Sequence, residues 1–235
     1  MTWSIVARDP STGAFGIAVA TRFFAVGALC PHGAGGIGAL ATQALINPLY
    51  GPRGLQLLRE GLPAEMVVEA LTEADPGRVA RQVHLQDATG RISAHTGNEC
   101  VPWCGHVIHA GFSVAGNMLA GGGVIEETAR AYVENATLSF PRRLILALKG
   151  GEAAGGDKRG KQSAALKIYS TEEYPALDIR VDDHFDPLTE LDRLETVSRE
   201  RFVPFAAFLP TRDAPGGVWD RAVIEAAIAR ATAAR

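Results

Sequence analysis

Short apolar runs separated by glycine and proline open the chain. Residues 2–8 and 15–23, joined by Asp9-Pro-Ser-Thr-Gly13, carry the Val, Ile, Phe and Trp of a β-hairpin. Two further apolar runs, 25–30 and 35–41, extend the sheet. Residues 36–43 hold no charge, which predicts a strand buried on both faces whose glycines let backbone or ligand approach closely. From Tyr50 the period changes: Leu55, Leu58, Leu62, Met66, Val67, Ala70 and Leu71 recur at three and four residues, as in two amphipathic helices. Ala74-Asp-Pro-Gly77 ends the second. Residues 82–86, 91–96 and 106–115 read as strands between glycine turns, and 119–135 and 138–148 return to helical spacing. A glycine-rich charged loop, 150–161, precedes strands at 163–169 and 177–182. Beyond Pro187, Leu188, Leu191, Leu194 and Val197 begin a helical tail that Trp219, Val223 and Ala226 continue.

The strands come in sequential groups separated by helix pairs, which disfavours simple βαβ units. The pattern predicts an α+β fold of two mainly antiparallel sheets covered by helices, a single domain over 1–235 with a helical extension from about 187. With 235 residues, 47% of them hydrophobic, the chain can bury a sizeable core. A net charge of -3 supplies no basic excess for nucleic acid. The first residues lack the basic and apolar regions of a secretory signal, and every apolar run breaks before the roughly 18 residues of a membrane span. The expectation is a cytoplasmic protein without nucleic-acid or membrane partners. Cys30, Cys100 and Cys104 are an odd number in a chain that needs no covalent staple, which points to reduced thiols.

Candidate chemistry starts at Thr2. Methionine removal is favoured before small residues, and a freed threonine combines a nucleophilic hydroxyl with an α-amine of pKa near 8 that can act as its base. Ser4, two residues on, shares its strand face. The loop Gly151-Glu-Ala-Ala-Gly-Gly-Asp157-Lys-Arg159-Gly-Lys-Gln162-Ser163 can present backbone N–H groups and a carboxylate to a small polar ligand. It lacks the Gly-Lys-Ser/Thr order and the following helix of a phosphate-binding loop. Asp183 and His184 end a strand with an acid and an imidazole. Cys100-Val-Pro-Trp-Cys104-Gly-His106 has no second cysteine pair, so no metal is expected, and no cofactor motif is present. Thr42, Gln43, Asn47 and Asn117 sit where glycine-rich strands end and can offer amide or hydroxyl donors.

Thr2-Trp-Ser-Ile-Val-Ala-Arg-Asp9, Ala41-Thr-Gln43 with Asn47, Gly155-Gly-Asp-Lys-Arg-Gly-Lys-Gln-Ser-Ala-Ala-Leu166 and Val181-Asp-Asp-His184 together resemble a bacterial family of unknown function grouped with the N-terminal-nucleophile hydrolases. The resemblance runs to about Leu194. It implies a four-layer α-β-β-α sandwich, with Thr2 attacking an amide carbonyl and backbone N–H groups near Thr42 or Gln43, with Asn117, holding the oxyanion. Asp157, Arg159, Gln162 and Ser163 match its second motif and Asp183 its third, which implies that they position the substrate or the amine. Residues 24–33 hold no lysine, so a proteasome-like lysine has no counterpart there. The reading is a hydrolase of a small-molecule amide or ureide, homodimeric through its outer helices. Its rivals are a silent binding protein on the same scaffold that retains Met1, and a nucleophile moved to Ser4 or Cys30 with His184 or another imidazole as base.

Overall fold

The computed structural model describes residues 2–233, and two compact units divide the chain after Leu191. The opening runs form β1 (Thr2–Arg8) and β2 (Phe15–Thr21), antiparallel with Trp3 opposite Ala20. The turn between them is held by Asp9, whose carboxylate accepts from the Ser11 N–H at 3.0 Å. Next come β3 (Pro31–Ala34) and β4 (Gly38–Ala44), then α1 (Tyr50–Arg59) and α2 (Ala64–Glu73). The chain continues through β5 (Arg81–Asp87), β6 (Ile92–Thr96), β7 (Gly105–His109) and β8 (Phe112–Asn117). After α3 (Gly123–Glu134) and α4 (Phe140–Ala153), β9 (Ser163–Tyr169) and β10 (Leu177–Val181) complete the strands.

Two antiparallel sheets result, one in the order β10-β9-β2-β1-β8-β7 and one in the order β3-β4-β5-β6. They face each other through β1 and β4 and through β5 and β8. The pair α1/α2 covers the smaller sheet and α3/α4 the larger, giving α-β-β-α layers. This is the α+β architecture that the strand order predicts. Leu40, Leu55, Leu58, Val67, Leu71 and Leu85 fill the layer under α1 and α2. Val6, Ile17, Val19, Ala39, Ala41 and Tyr169 pack between the sheets. Strand β4 is buried on both faces along nearly its whole length, as its lack of charge predicts.

Helix α5 (Pro187–Ser198) crosses the division between the units, and α6 (Phe202–Ala206) and α7 (Arg221–Ala233) belong to the C-terminal one. Within that unit Arg201 pairs with Glu225, and the nearly buried Glu195 with Arg199. Among the described residues no helix is long and apolar enough to cross a membrane.

Local departures have tertiary causes. Residues 25–30 form no strand. Ala25 adopts a left-handed conformation (φ 52°) and a single 3-10 turn, Val26–Ala28, follows, because remote groups capture the backbone: the Val26 N–H donates to Ser163 and the Ala25 N–H to Asp182 O. Residues 35–37 are the turn between β3 and β4, and 106–115 is a hairpin folded at Gly111 (φ 85°), with His109 opposite Phe112. The first four residues of the glycine-rich loop, 150–153, belong to α4. There Gly151 lets α4 approach α3, since a Cβ on it would lie 2.1 Å from the Thr128 hydroxyl.

Candidate active site

Period two along β1 sends Trp3, Ile5 and Ala7 one way and Thr2, Ser4 and Val6 the other. The Trp3 ring lies against Gly151 and Gly156, whereas Ser4 bonds to Gln43 of β4 and His84 of β5. Thr2 and Ser4 therefore face the opposite sheet. The facing positions are also polar, Gln43 on β4 and Gln82, His84 and Gln86 on β5, as are Ser113 and Asn117 on the neighbouring strand β8, all buried. Part of the space between the sheets is thus a polar layer, and its open end is a cavity of about 560 Å³.

Thr2, Thr21, Thr42, Gln43 and Asn117 line the buried part of this cavity. Phe23, Phe24, Leu45 and Val101, all well exposed, form its apolar mouth. Thr2 is 7% exposed, and its hydroxyl donates to Thr21 Oγ1 at 3.2 Å. Ala25, Ala44 and Met118 have φ of 52°, 70° and 58°, and all three line the cavity. Left-handed non-glycine residues cost about 1 kcal/mol or more each and gather at functional sites, where the surroundings hold them.

Below the cavity a hydrogen-bond chain has one direction. Gln82 Nε2 lies 3.0 Å from both Gly105 O and Gly116 O. Backbone carbonyls only accept, so this end of Gln82 is its NH2 and Oε1 is the acceptor. Gln82 Oε1 then takes a bond from Gln43 Nε2 at 2.7 Å, which leaves Gln43 Oε1 to accept from the Ser4 hydroxyl at 2.6 Å. Having given its proton to Gln43, Ser4 accepts from His84 Nε2 at 2.8 Å, and His84 Nδ1 accepts from the Ser113 hydroxyl at 2.8 Å. His84 is a neutral Nε2–H tautomer. Burial, with the charge of His106 beside it, pushes its pKa down to about 3. Ser4, fully buried and absent from the cavity wall, is a link in this chain and donates to an uncharged amide. Gln43 Nε2 also lies 3.5 Å from Thr2 O, tying the chain to the backbone of Thr2.

The second motif fastens the other wall. The Asp157 side chain is fully buried; its carboxylate accepts from the Arg22 N–H at 2.9 Å and the Arg159 N–H at 2.8 Å, and pairs with the Arg159 guanidinium at 3.3 Å. Arg159 lines the cavity. The Ser163 hydroxyl donates to Phe23 O at 2.6 Å and accepts from the Val26 N–H, clamping the loop that carries Phe23 and Phe24. The Gln162 N–H donates to Thr21 O and its amide to Asp183, which is exposed. The His184 N–H donates to Gln162 O, and its Nδ1 accepts from the Asp186 N–H. Gln162, Ser163, Asp183 and His184 thus brace the wall without lining the cavity.

Asn47 also lies outside. It donates to Asp75 and accepts from the Leu49 N–H, shaping the start of α1. Burial pushes the Asp75 carboxyl up, but bonds from Asn47, Tyr50, Gly77 and Arg81 outweigh it and hold the pKa at about 2. Arg81, which lines the cavity, joins Asp75 to Leu45 O. The Thr42 N–H donates to Cys30 O and its hydroxyl to Asn47 O, so both of its polar groups serve the scaffold. Burial pushes the Cys30 thiol up to about 12, which makes it a neutral hydrophobe in the wall. Among the described residues no group of three or more His, Cys, Asp or Glu could hold a metal ion.

Sequence reasoning thus brings Thr2, Thr42, Gln43, Asn117 and Arg159 to one cavity, with Asp157 behind Arg159. It misses Thr21, Gln82, His84 and Ser113. The signal was the alternation Gln82-Val-His84-Leu-Gln86, whose polar face reads as a solvent face on its own.

A family model described as a family of unknown function, DUF1028, matches residues 2–191, and the chain belongs to this family. Among solved structures, protein SPO2555 from Silicibacter pomeroyi is 33% identical, with 94% of this chain and 96% of that chain covered and a TM-score of 0.86. Lower likenesses are Anbu (ancestral beta-subunit) from Yersinia bercovieri, 13% identical over 89% of this chain and 98% of that chain with a TM-score of 0.40, and an Anbu (Gly-1) mutant from Hyphomicrobium sp. strain MC1, 14% identical over 84% and 94% with a TM-score of 0.43. A comparison with curated proteins finds no match.

Proposed function

We propose that this member of the DUF1028 family is an amide hydrolase of the N-terminal-nucleophile type, in which Thr2 becomes the nucleophile once the bond preceding it is cleaved. The observation that carries the reading is that Thr2 begins an interior strand and lines a cavity large enough for a small amide or ureide. In the reaction the Thr2 hydroxyl oxygen bonds to the substrate carbonyl carbon while its proton passes to the α-amine. The C–N bond then breaks, and the departing nitrogen takes that proton, leaving an ester on Thr2. Water adds to the ester, the acid leaves and the hydroxyl is restored. Ser4 and Cys30 suit this role less: one is sealed beneath the cavity as a donor to Gln43, and the other is held as a thiol.

A second reading, a silent binding protein that retains Met1, draws support from the apolar mouth and from the absence of lysine among the described lining residues. Intact mass of the chain purified without overproduction separates the two, together with amine release from a panel of aliphatic amides by the wild type and by Thr2→Ala. The enzyme reading expects a chain beginning at Thr2 and amine release that Thr2→Ala abolishes. A chain that keeps Met1 throughout and releases no amine overturns it.

A further inference from the structure

Asn117 stands directly opposite Thr2 in the β1–β8 ladder, and both line the cavity. Paired positions of an antiparallel ladder bring their side chains to the same face within about 5 Å of each other at Cβ. A carboxamide there could present either its oxygen or its NH2, and an isolated asparagine would be free to turn. Here it is not free. Asn117 Nδ2 donates to Gln82 Oε1 at 3.1 Å, and the two backbone carbonyls at the other end of Gln82 prevent that glutamine from reversing. Reversal of Asn117 alone would set two carbonyl oxygens against each other in a buried layer, where an unmatched polar group costs about 1–3 kcal/mol.

We infer that Gln82 is a positioning residue that turns the carboxamide oxygen of Asn117 to the cavity, where it accepts an N–H from the substrate beside Thr2. The site then takes secondary amides and ureides, whose nitrogen carries a hydrogen, and discriminates against esters and fully substituted amides of the same shape. The apolar groups at the mouth, Phe23, Phe24, Leu29, Leu45 and Val101, suit an aliphatic substituent next to that amide. This assignment rests on the hydrolase reading for its reaction but concerns binding, so the two can fail separately. It differs from the donor role that an asparagine near a nucleophile suggests, since Gln82 holds one of the two amide N–H groups and so fixes which end of the carboxamide is the acceptor.

The test measures binding to the full-length Thr2→Ala protein by calorimetry, using N-butylhexanamide, its N-methyl derivative and butyl hexanoate, which differ at the N–H position. The secondary amide is expected to bind about tenfold or more tightly than either analogue, the cost of leaving a buried acceptor unmatched. Asn117→Leu should bring the three affinities within about threefold of one another, and Gln82→Met, which frees Asn117 to turn, should do the same with the carboxamide still present. Either variant suffices if the other does not fold. Equal binding of the three compounds, binding of none, or a preference that survives in the folded variants overturns the inference. A preference that depends on Asn117 and Gln82 in a protein whose wild type releases no amine supports the inference and removes the hydrolase reading.

Discussion

Replacing His84 with glutamine converts the buried hydrogen-bond chain into a measurable acid sensitivity. Burial and the neighbouring His106 lower the imidazole from 6.5 to about 3, so the folded protein leaves it neutral where the unfolded chain protonates it. Over that interval the unfolded state holds more protons, and stability falls as pH falls. Each unit below the unfolded value removes about 1.4 kcal/mol, so lowering the pH from 7.5 to 4.5 costs on the order of 2–3 kcal/mol through this residue alone. Glutamine keeps one donor and one acceptor for Ser4 and Ser113 but does not titrate. Urea unfolding of both proteins across that pH range should show His84→Gln less stable at pH 7.5, with the gap narrowing by on the order of 2–3 kcal/mol at pH 4.5. Asp75, held at about 2, loses its contribution as pH falls through the acid range in both proteins and cancels in the difference. Parallel curves for the two proteins would refute the buried neutral imidazole and the bond direction built on it.

Three further outcomes follow from packing and burial. Gly151→Ala places a Cβ 2.1 Å from the Thr128 hydroxyl and 3.0 Å from Val124 O, so thermal melting should show a loss of about 1–3 kcal/mol as α4 is pushed from α3. Gln86, fully buried with both amide atoms unpartnered, should tolerate Met with unchanged or higher stability, by up to about 1 kcal/mol in urea; a clear loss would mean that its amide is satisfied in solution. Cys30, a thiol up to about 12, should resist iodoacetamide in the native protein at pH 8 while the partly exposed Cys104 is alkylated, as peptide mapping would report.

Much of the scaffold was legible because periodicity reports how a segment is buried. The uncharged run that became β4 and the three- and four-residue spacing of α1 and α2 each specify their own environment. Segments whose shape depends on remote partners were not legible. The apolar run 25–30 reads as a strand, yet Ser163 and Asp182, some 140 and 160 residues away, bend it into the turn that forms the cavity mouth. Glycines 150 and 151 read as loop residues, but close packing against α3 uses their missing side chains inside a helix.

The candidate site divides in the same way. Alternation along β1 was enough to place Thr2 and Ser4 on one face, because a strand's side chains alternate whatever surrounds it. Gln82-Val-His84-Leu-Gln86 alternates as regularly, and by itself such a strand turns its polar face to water. Only the tertiary structure decided otherwise: β1 and β8 of the other sheet cover that face, while α1 and α2 take Val83 and Leu85 on the other. Sequence thus determined which residues share a face. Burial against a second polar face, where each donor must find an acceptor, decided that these residues form one directed chain beneath Thr2.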